Sequence, residues 1–261
     1  MIRPTIFVGF LLLLTSAVTP AQKRPATPPA PPAAPAAAAA EKLPSPEQVL
    51  DHYMKAIGGV EQARKFSSRV MKGAFEFPAM GLTGTAEIDM AAPDKFYSLV
   101  RIDQVGEYVQ GFDGQVGWSS DPNSGLREFA GEELAQVRRH SQFYHDLRFR
   151  ELYPERRVTA KVKVGEKDAW VLEGSAPDTA PEKFYFDTES GLLLRHDSVQ
   201  VTPEARIEVE QYYSEYSVID GVKLPMLLRH VDPQTTWQVR FSEITHNVPI
   251  AASKFAKPTA Q

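Results

Sequence analysis

The spacing of apolar residues divides the chain into helical and extended stretches. Ser45-Pro46-Glu47-Gln48 predicts a helix start: Ser45 can cap, Pro46 sits where its missing N–H costs nothing, and Gln48 completes a capping box. Val49, Leu50, Tyr53 and Ile57 then form one apolar stripe, and Gly58-Gly59 stops the helix. A second short helical turn is expected over 60–66.

After Ser68 the period falls to two. Leu82, Gly84, Ala86, Ile88 and Met90 alternate with Thr83, Thr85, Glu87 and Asp89, so this strand has one apolar and one polar face. The same alternation returns in Val158, Ala160, Val162 and Val164, and again in Trp237, Val239 and Phe241. Further strands are expected at 70–77, 96–103, 107–112, 115–119, 168–174, 182–187, 191–198, 206–217 and 223–231. The pairs Asp113-Gly114, Ser190-Gly191 and Asp220-Gly221 favour hairpins between sequence neighbours. From Gly131 to Leu152 the alternation breaks, with Leu134, Val137, Phe143, Leu147 and Leu152 set among charges and Pro154 closing the stretch. One or two helices are expected there.

The fold class is therefore mainly β (α+β): a long antiparallel sheet covered by an N-terminal helix and a mid-chain helical insertion. A sheet of about eleven strands must curl or close into an incomplete or complete barrel. Its concave side then either fills with side chains or holds a cavity, and that choice decides the function.

Several segments carry a family likeness. They are Gly111-Phe112-Asp113-Gly114-Gln115-Val116-Gly117-Trp118, Ala169-Trp170-Val171-Leu172-Glu173-Gly174, and the run from Phe184-Tyr185-Phe186-Asp187 to Leu192-Leu193-Leu194. Asp220-Gly221-Val222-Lys223-Leu224-Pro225, Asn247-Val248-Pro249-Ile250 and Phe255 follow in order. Over about 45 to 258 the chain resembles the LolA/LolB-like outer-membrane lipoprotein-sorting superfamily, in a branch of envelope proteins. The likeness is one of turns and strand ends, so it speaks for fold more than for activity. It implies an incomplete β-barrel, closed on one side by helices, whose hollow shelters acyl chains. No gating arginine or lid residue of that superfamily is carried over to a position here.

The first residues add an address. Arg3, the apolar run Ile6 to Leu14 and small residues through Ala21 read as a cleavable signal peptide, with cleavage after Ala21 preferred over Ala17. The run is about half of the roughly 20 residues a spanning helix needs. The expected organisation is a signal peptide at 1–21, a Pro/Ala-rich disordered linker at 22–44, the β domain at 45–258 and a tail at 259–261. With zero cysteines there are no disulfides, thiolate ligands, cysteine nucleophiles or lipidated cysteine, so a free periplasmic protein resembling the soluble carrier is expected. A formal net charge of −4 disfavours nucleic acid or an anionic membrane as a partner held by bulk charge.

Candidate chemistry is sparse. His140 and His145 do not share a helical face, and no His-Glu-x-x-His run exists. His196-Asp197 and His230 with Asp232 fall on expected strands, where neighbouring residues point to opposite faces. Ser119 and Ser120 lie in no Gly-x-Ser-x-Gly elbow, and Asp121-Pro122-Asn123-Ser124-Gly125 reads as a turn, not a calcium loop. No catalytic residue, metal site or cofactor is expected. Arg138, Arg139, Arg148, Arg150, Arg156 and Arg157 crowd the insertion; a solvated, salt-bridged helix surface is the favoured reading, and a lid or partner surface at Arg138, Arg139, Arg148 and Arg150 the other.

The candidate apolar lining comprises Phe75, Phe77, Ile88, Met90, Phe96, Trp118, Trp170, Phe184, Phe186, Trp237 and Phe241. The leading expectation is an exported, non-enzymatic carrier or chaperone for a lipid, a lipidated protein or another apolar ligand, with the insertion as a lid. The second is an envelope interaction or sensor module with a filled core, which a solid concave face would favour. The third, a serine or metal-dependent hydrolase, requires His196, His230 and an acidic residue to converge.

Overall fold

A computed structural model describes residues 42–177 and 179–259; the expected signal peptide and most of the expected linker lie outside these residues. Helix α1 (Pro46–Ala56) begins with the expected capping box: the Gln48 amide donates to Ser45 Oγ at 3.2 Å, and the Ser45 amide donates to Gln48 Oε1 at 2.8 Å. It buries Val49, Leu50, Tyr53 and Met54, and Ile57 beyond it is also buried. The second turn, α2, covers only Val60–Ala63.

Thirteen strands follow: β1 (Ser68–Phe77), β2 (Leu82–Ala91), β3 (Lys95–Ile102), β4 (Gly106–Phe112), β5 (Gly117–Asp121), β6 (Gly125–Glu128), β7 (Glu155–Val164), β8 (Lys167–Ser175), β9 (Glu182–Asp187), β10 (Leu193–Val201), β11 (Arg206–Ile219), β12 (Val222–Val231) and β13 (Thr236–His246). Helices α3 (Gly131–His140) and α4 (Phe149–Leu152) lie between β6 and β7. All strands join one antiparallel sheet in the order β6-β5-β4-β3-β2-β1-β13-β12-β11-β10-β9-β8-β7. It is not closed into a barrel.

This order explains where the helices go. The chain walks outward from β1 to the edge β6, then starts again at the other edge, β7, and walks back until β13 pairs with β1. Residues 129–154 must therefore pass from one free edge to the other. In a curled sheet that path crosses the opening of the curl, and α3 touches β5 on one arm and β10 on the other.

Two buried clusters hold the arms. Phe75, Phe77, Val100, Ile102, Trp237, Val239 and Phe241 form one, on β1, β3 and β13. The other gathers α1 with Phe149, Tyr153, Leu172, Phe184 and Phe186. Each fully buried aromatic or aliphatic side chain contributes about 1.5–3 kcal/mol relative to exposure.

Some expectations change. Strand β6 was not foreseen, since four residues carry too little alternation to recognise. Strand β5 starts at Gly117 instead of residue 115 because the amides of Gln115 and Val116 donate to Asp113 Oδ1, at 2.8 and 2.7 Å, and belong to the turn. In α3 the buried residues are Gln136 and Arg139, while Leu134 and Val137 are only half-buried. The chain end also packs on the sheet: after a 3-10 turn at Ala252–Lys254, Phe255 is 1% exposed and Lys254 reaches Glu87 at 2.7 Å and Asp89 at 3.4 Å on β2.

Candidate ligand cavity

Between the two arms and beneath the insertion lies a cavity of about 560 Å³. Its size falls within the range of small-molecule sites, about 300–1,000 Å³. Of the candidate lining, Ile88, Phe96, Phe184, Phe186, Trp237 and Phe241 face it. Phe75, Phe77, Met90, Trp118 and Trp170 do not line it. Phe75 and Phe77 are spent in the packed cluster of β1 and β13. Trp118 lies across Gly111 towards Tyr97 and donates from Nε1 to the Phe255 carbonyl at 2.9 Å, so it anchors the chain end. Trp170 packs beside α1, with Lys161 over its ring.

The remaining lining comes from positions that pattern reading passed over. Ala86, Val100, Val109, Val199, Val209, Leu224 and Leu228 add small and branched apolar surface from β2, β3, β4, β10, β11 and β12. They alternate properly, but alternation names a face without saying which part of that face is left unpacked.

The lining also carries polar groups, one set of them around Asp146. Tyr53, Arg69, His145, Asp146, Tyr213 and Tyr216 all reach the cavity. Asp146 keeps 48% of its side chain accessible because it faces open space. Enclosure within the cavity opposes its ionisation, but His145, whose Nδ1 stands 3.9 Å from the carboxylate, and the Arg69 charge hold its carboxyl below the usual value. Burial pushes the phenols of Tyr53, Tyr213 and Tyr216 up, helped by the nearby Asp146 charge, so they stay protonated donors near neutral pH. The Arg69 guanidinium donates to His246 Nε2 at 3.1 Å and stands over the Phe143 ring.

The insertion is fastened over this space at several points. Arg127 on β6 holds Glu133 with two bonds of 2.8 and 2.6 Å, and Arg206 on β11 holds Glu132 with two of 2.6 and 2.9 Å. The Gln136 amide donates to the Val199 carbonyl at 2.5 Å and accepts from the Val201 amide at 3.1 Å. Arg139, 7% exposed, pairs with Glu182 and donates to Thr179 Oγ1 at 2.8 Å. Arg138 is exposed and Arg148 pairs with Glu151, whereas Arg139 is buried and is not part of a solvated helix surface. Arg150 ties the insertion to α1 through Asp51 at 2.7 Å.

Glu182 is the most heavily bonded side chain of the region. It is 2% exposed and receives Arg139, the Tyr153 hydroxyl at 2.9 Å, His196 Nε2 at 2.7 Å and His140 Nε2 at 3.3 Å. Burial alone would raise its pKa; the bonds and charge of His140 and His196 outweigh that and hold the carboxylate well below the usual range. His230 does not join it. That ring stacks on Trp237 at 4.6 Å and bonds Asp232 at 3.2 Å. His196 and His230 therefore serve different carboxylates. Ser119 Oγ, also in the lining, has no hydrogen-bond partner among the described residues.

No protein-family model matches the sequence, and no curated protein does. Among solved structures the chain is similar to a DUF1329 family protein from Desulfovibrio piger, with a TM-score of 0.54 and 13% identity over 80% of this chain and 96% of that one. It is also similar to a LolA superfamily protein from Nitrosomonas europaea, with a TM-score of 0.54 and 12% identity over 82% and 99% of the two chains. The chain has a LolA-like fold, in agreement with the likeness carried by its turns and strand ends.

Proposed function

We propose that this LolA-like chain is an exported, non-enzymatic carrier that takes a lipid, a lipidated protein or another apolar ligand into the cavity beneath the insertion. The observation that carries the reading is the cavity itself: about 560 Å³ left unfilled between apolar strand faces. A filled interaction module would have packed that space, because interiors are otherwise dense. Burying an acyl chain there yields roughly 0.8 kcal/mol per methylene, which gives useful affinity without covalent chemistry. Arg69 brings a positive charge to the lining for an ester or acid head, while the hydroxyls of Tyr213 and Tyr216 already donate to Gln211 and to the Leu193 carbonyl and can only accept from a ligand. The expected signal peptide and the absence of cysteine support a freely diffusing periplasmic location. Among the described residues no helix is long and apolar enough to cross a membrane.

The test is direct. Protein purified from its native envelope is examined by native mass spectrometry and then titrated with a fluorescent fatty acid. A co-purifying lipid or saturable uptake supports the carrier; absence of both ends this reading in favour of the interaction module.

A further inference from the structure

We propose that His140, His196 and Glu182 form a binding site for one divalent transition-metal ion of the Zn²⁺ type, joining the insertion to the sheet at the rim of the cavity. The three come from the end of α3, from β10 and from β9, and one donor atom of each lies within 4.8 Å of the others. Zinc bonds of about 2.0–2.1 Å set tetrahedral ligand separations of roughly 3.3 Å. The 3.3 Å between His140 Nε2 and Glu182 Oε2 already fits, and the 2.7 Å between His196 Nε2 and the same oxygen must open by about 0.6 Å to reach that separation. Two imidazoles and a carboxylate suit zinc and its neighbours better than magnesium or calcium, which prefer all-oxygen shells.

The surroundings hold one of the rings and the carboxylate in place. The His196 ring lies flat on Phe184, with centroids 4.4 Å apart and planes at 8°. Arg139, itself bonded to Thr179, takes Glu182 Oε1, while Oε2 accepts from the Tyr153 hydroxyl at 2.9 Å and faces both histidines; a metal on Oε2 therefore competes with the Tyr153 bond. The Arg139 guanidinium repels a cation and so lowers the affinity below that of a bare triad. An entry path exists, since His140 is 40% exposed and both histidines line the cavity, which also leaves room for water or a ligand head in the fourth position. The site escaped pattern reading because its ligands come from three separate elements, with no motif spacing between them.

A bound ion would add a further tie between the insertion and β9–β10, independent of whether the cavity carries an apolar ligand. The test uses the full chain, stripped with a chelator and titrated with Zn²⁺ by calorimetry. One equivalent should bind, and His140→Ala, a change at an exposed side chain, should weaken binding at least about tenfold while leaving the circular dichroism unchanged. His52→Ala, at an exposed position of α1 outside the triad, should bind as the parent does, and X-ray absorption at the zinc edge should report nitrogen and oxygen ligands. Absence of binding, or equal binding by His140→Ala, overturns the proposal. Should Glu182→Gln fail to fold, the His140→Ala result still decides.

Discussion

Trp118 shows how much a single position depends on its neighbours. Its ring is 2% exposed and covers Gly111, where an added Cβ would come within 2.7 Å of three indole atoms. The ring cannot swing away, because Nε1 is tied to the Phe255 carbonyl at 2.9 Å. Gly111→Ala should therefore destabilise by about 1–3 kcal/mol through overpacking. In a protein of this size that lowers Tm by roughly 2–4 °C per kcal/mol, which calorimetry can read. An unchanged Tm would mean the indole is free to move and the chain end is loosely held. The sequence placed Gly111 on the strand at 107–112 and Trp118 on the next, yet it assigned Trp118 to the ligand side. Aromatic character and strand position were readable; the partner 137 residues away that decides the face was not.

At the scale of elements, the helical insertion differs most from its sequence pattern. Its apolar residues suggested an ordinary amphipathic helix resting on the sheet, but α3 turns Gln136 and Arg139 inward and meets β10 and β9 through polar bonds. This follows from what lies beneath: the apolar strand faces stand back across a hollow, so strand-end carbonyls, amides and a buried carboxylate set the docking. Capping, stripe and stop predicted α1 well because all three signals are local. Bonds from α3 to strands 40 or more residues away leave no such trace. Both ends of the Gln136 amide are used on one strand, so Gln136→Ala leaves two strand-end groups unpaired, a cost of about 1–3 kcal/mol. The loss should be local. Amide exchange over 131–152 should quicken roughly tenfold for each 1.4 kcal/mol, while β1 and β13 keep their protection. Equal acceleration everywhere would instead show that the insertion is part of one cooperative unit with the sheet.

For the whole molecule, the decisive feature is that the two free edges of the sheet, β6 and β7, are joined by the very segment that covers the opening. Alternating strands and tight turns were enough to infer a curled antiparallel meander. They could not reveal that β13 returns beside β1, which makes both arms part of one sheet and leaves the space between them enclosed. If that space is a ligand site and not merely imperfect packing, then filling it should abolish uptake without harming the fold. Ile88 is suited to this, being only half-buried on β2 and facing the cavity. An indole at Ile88→Trp would project into open volume, so the usual overpacking cost of about 1–3 kcal/mol should be largely avoided. We expect Tm to stay close to that of the parent and fluorescent fatty-acid uptake to fall more than about tenfold, the equivalent of at least 1.4 kcal/mol of lost binding. A variant that folds as the parent does and takes up the probe equally well would place the ligand elsewhere on the molecule.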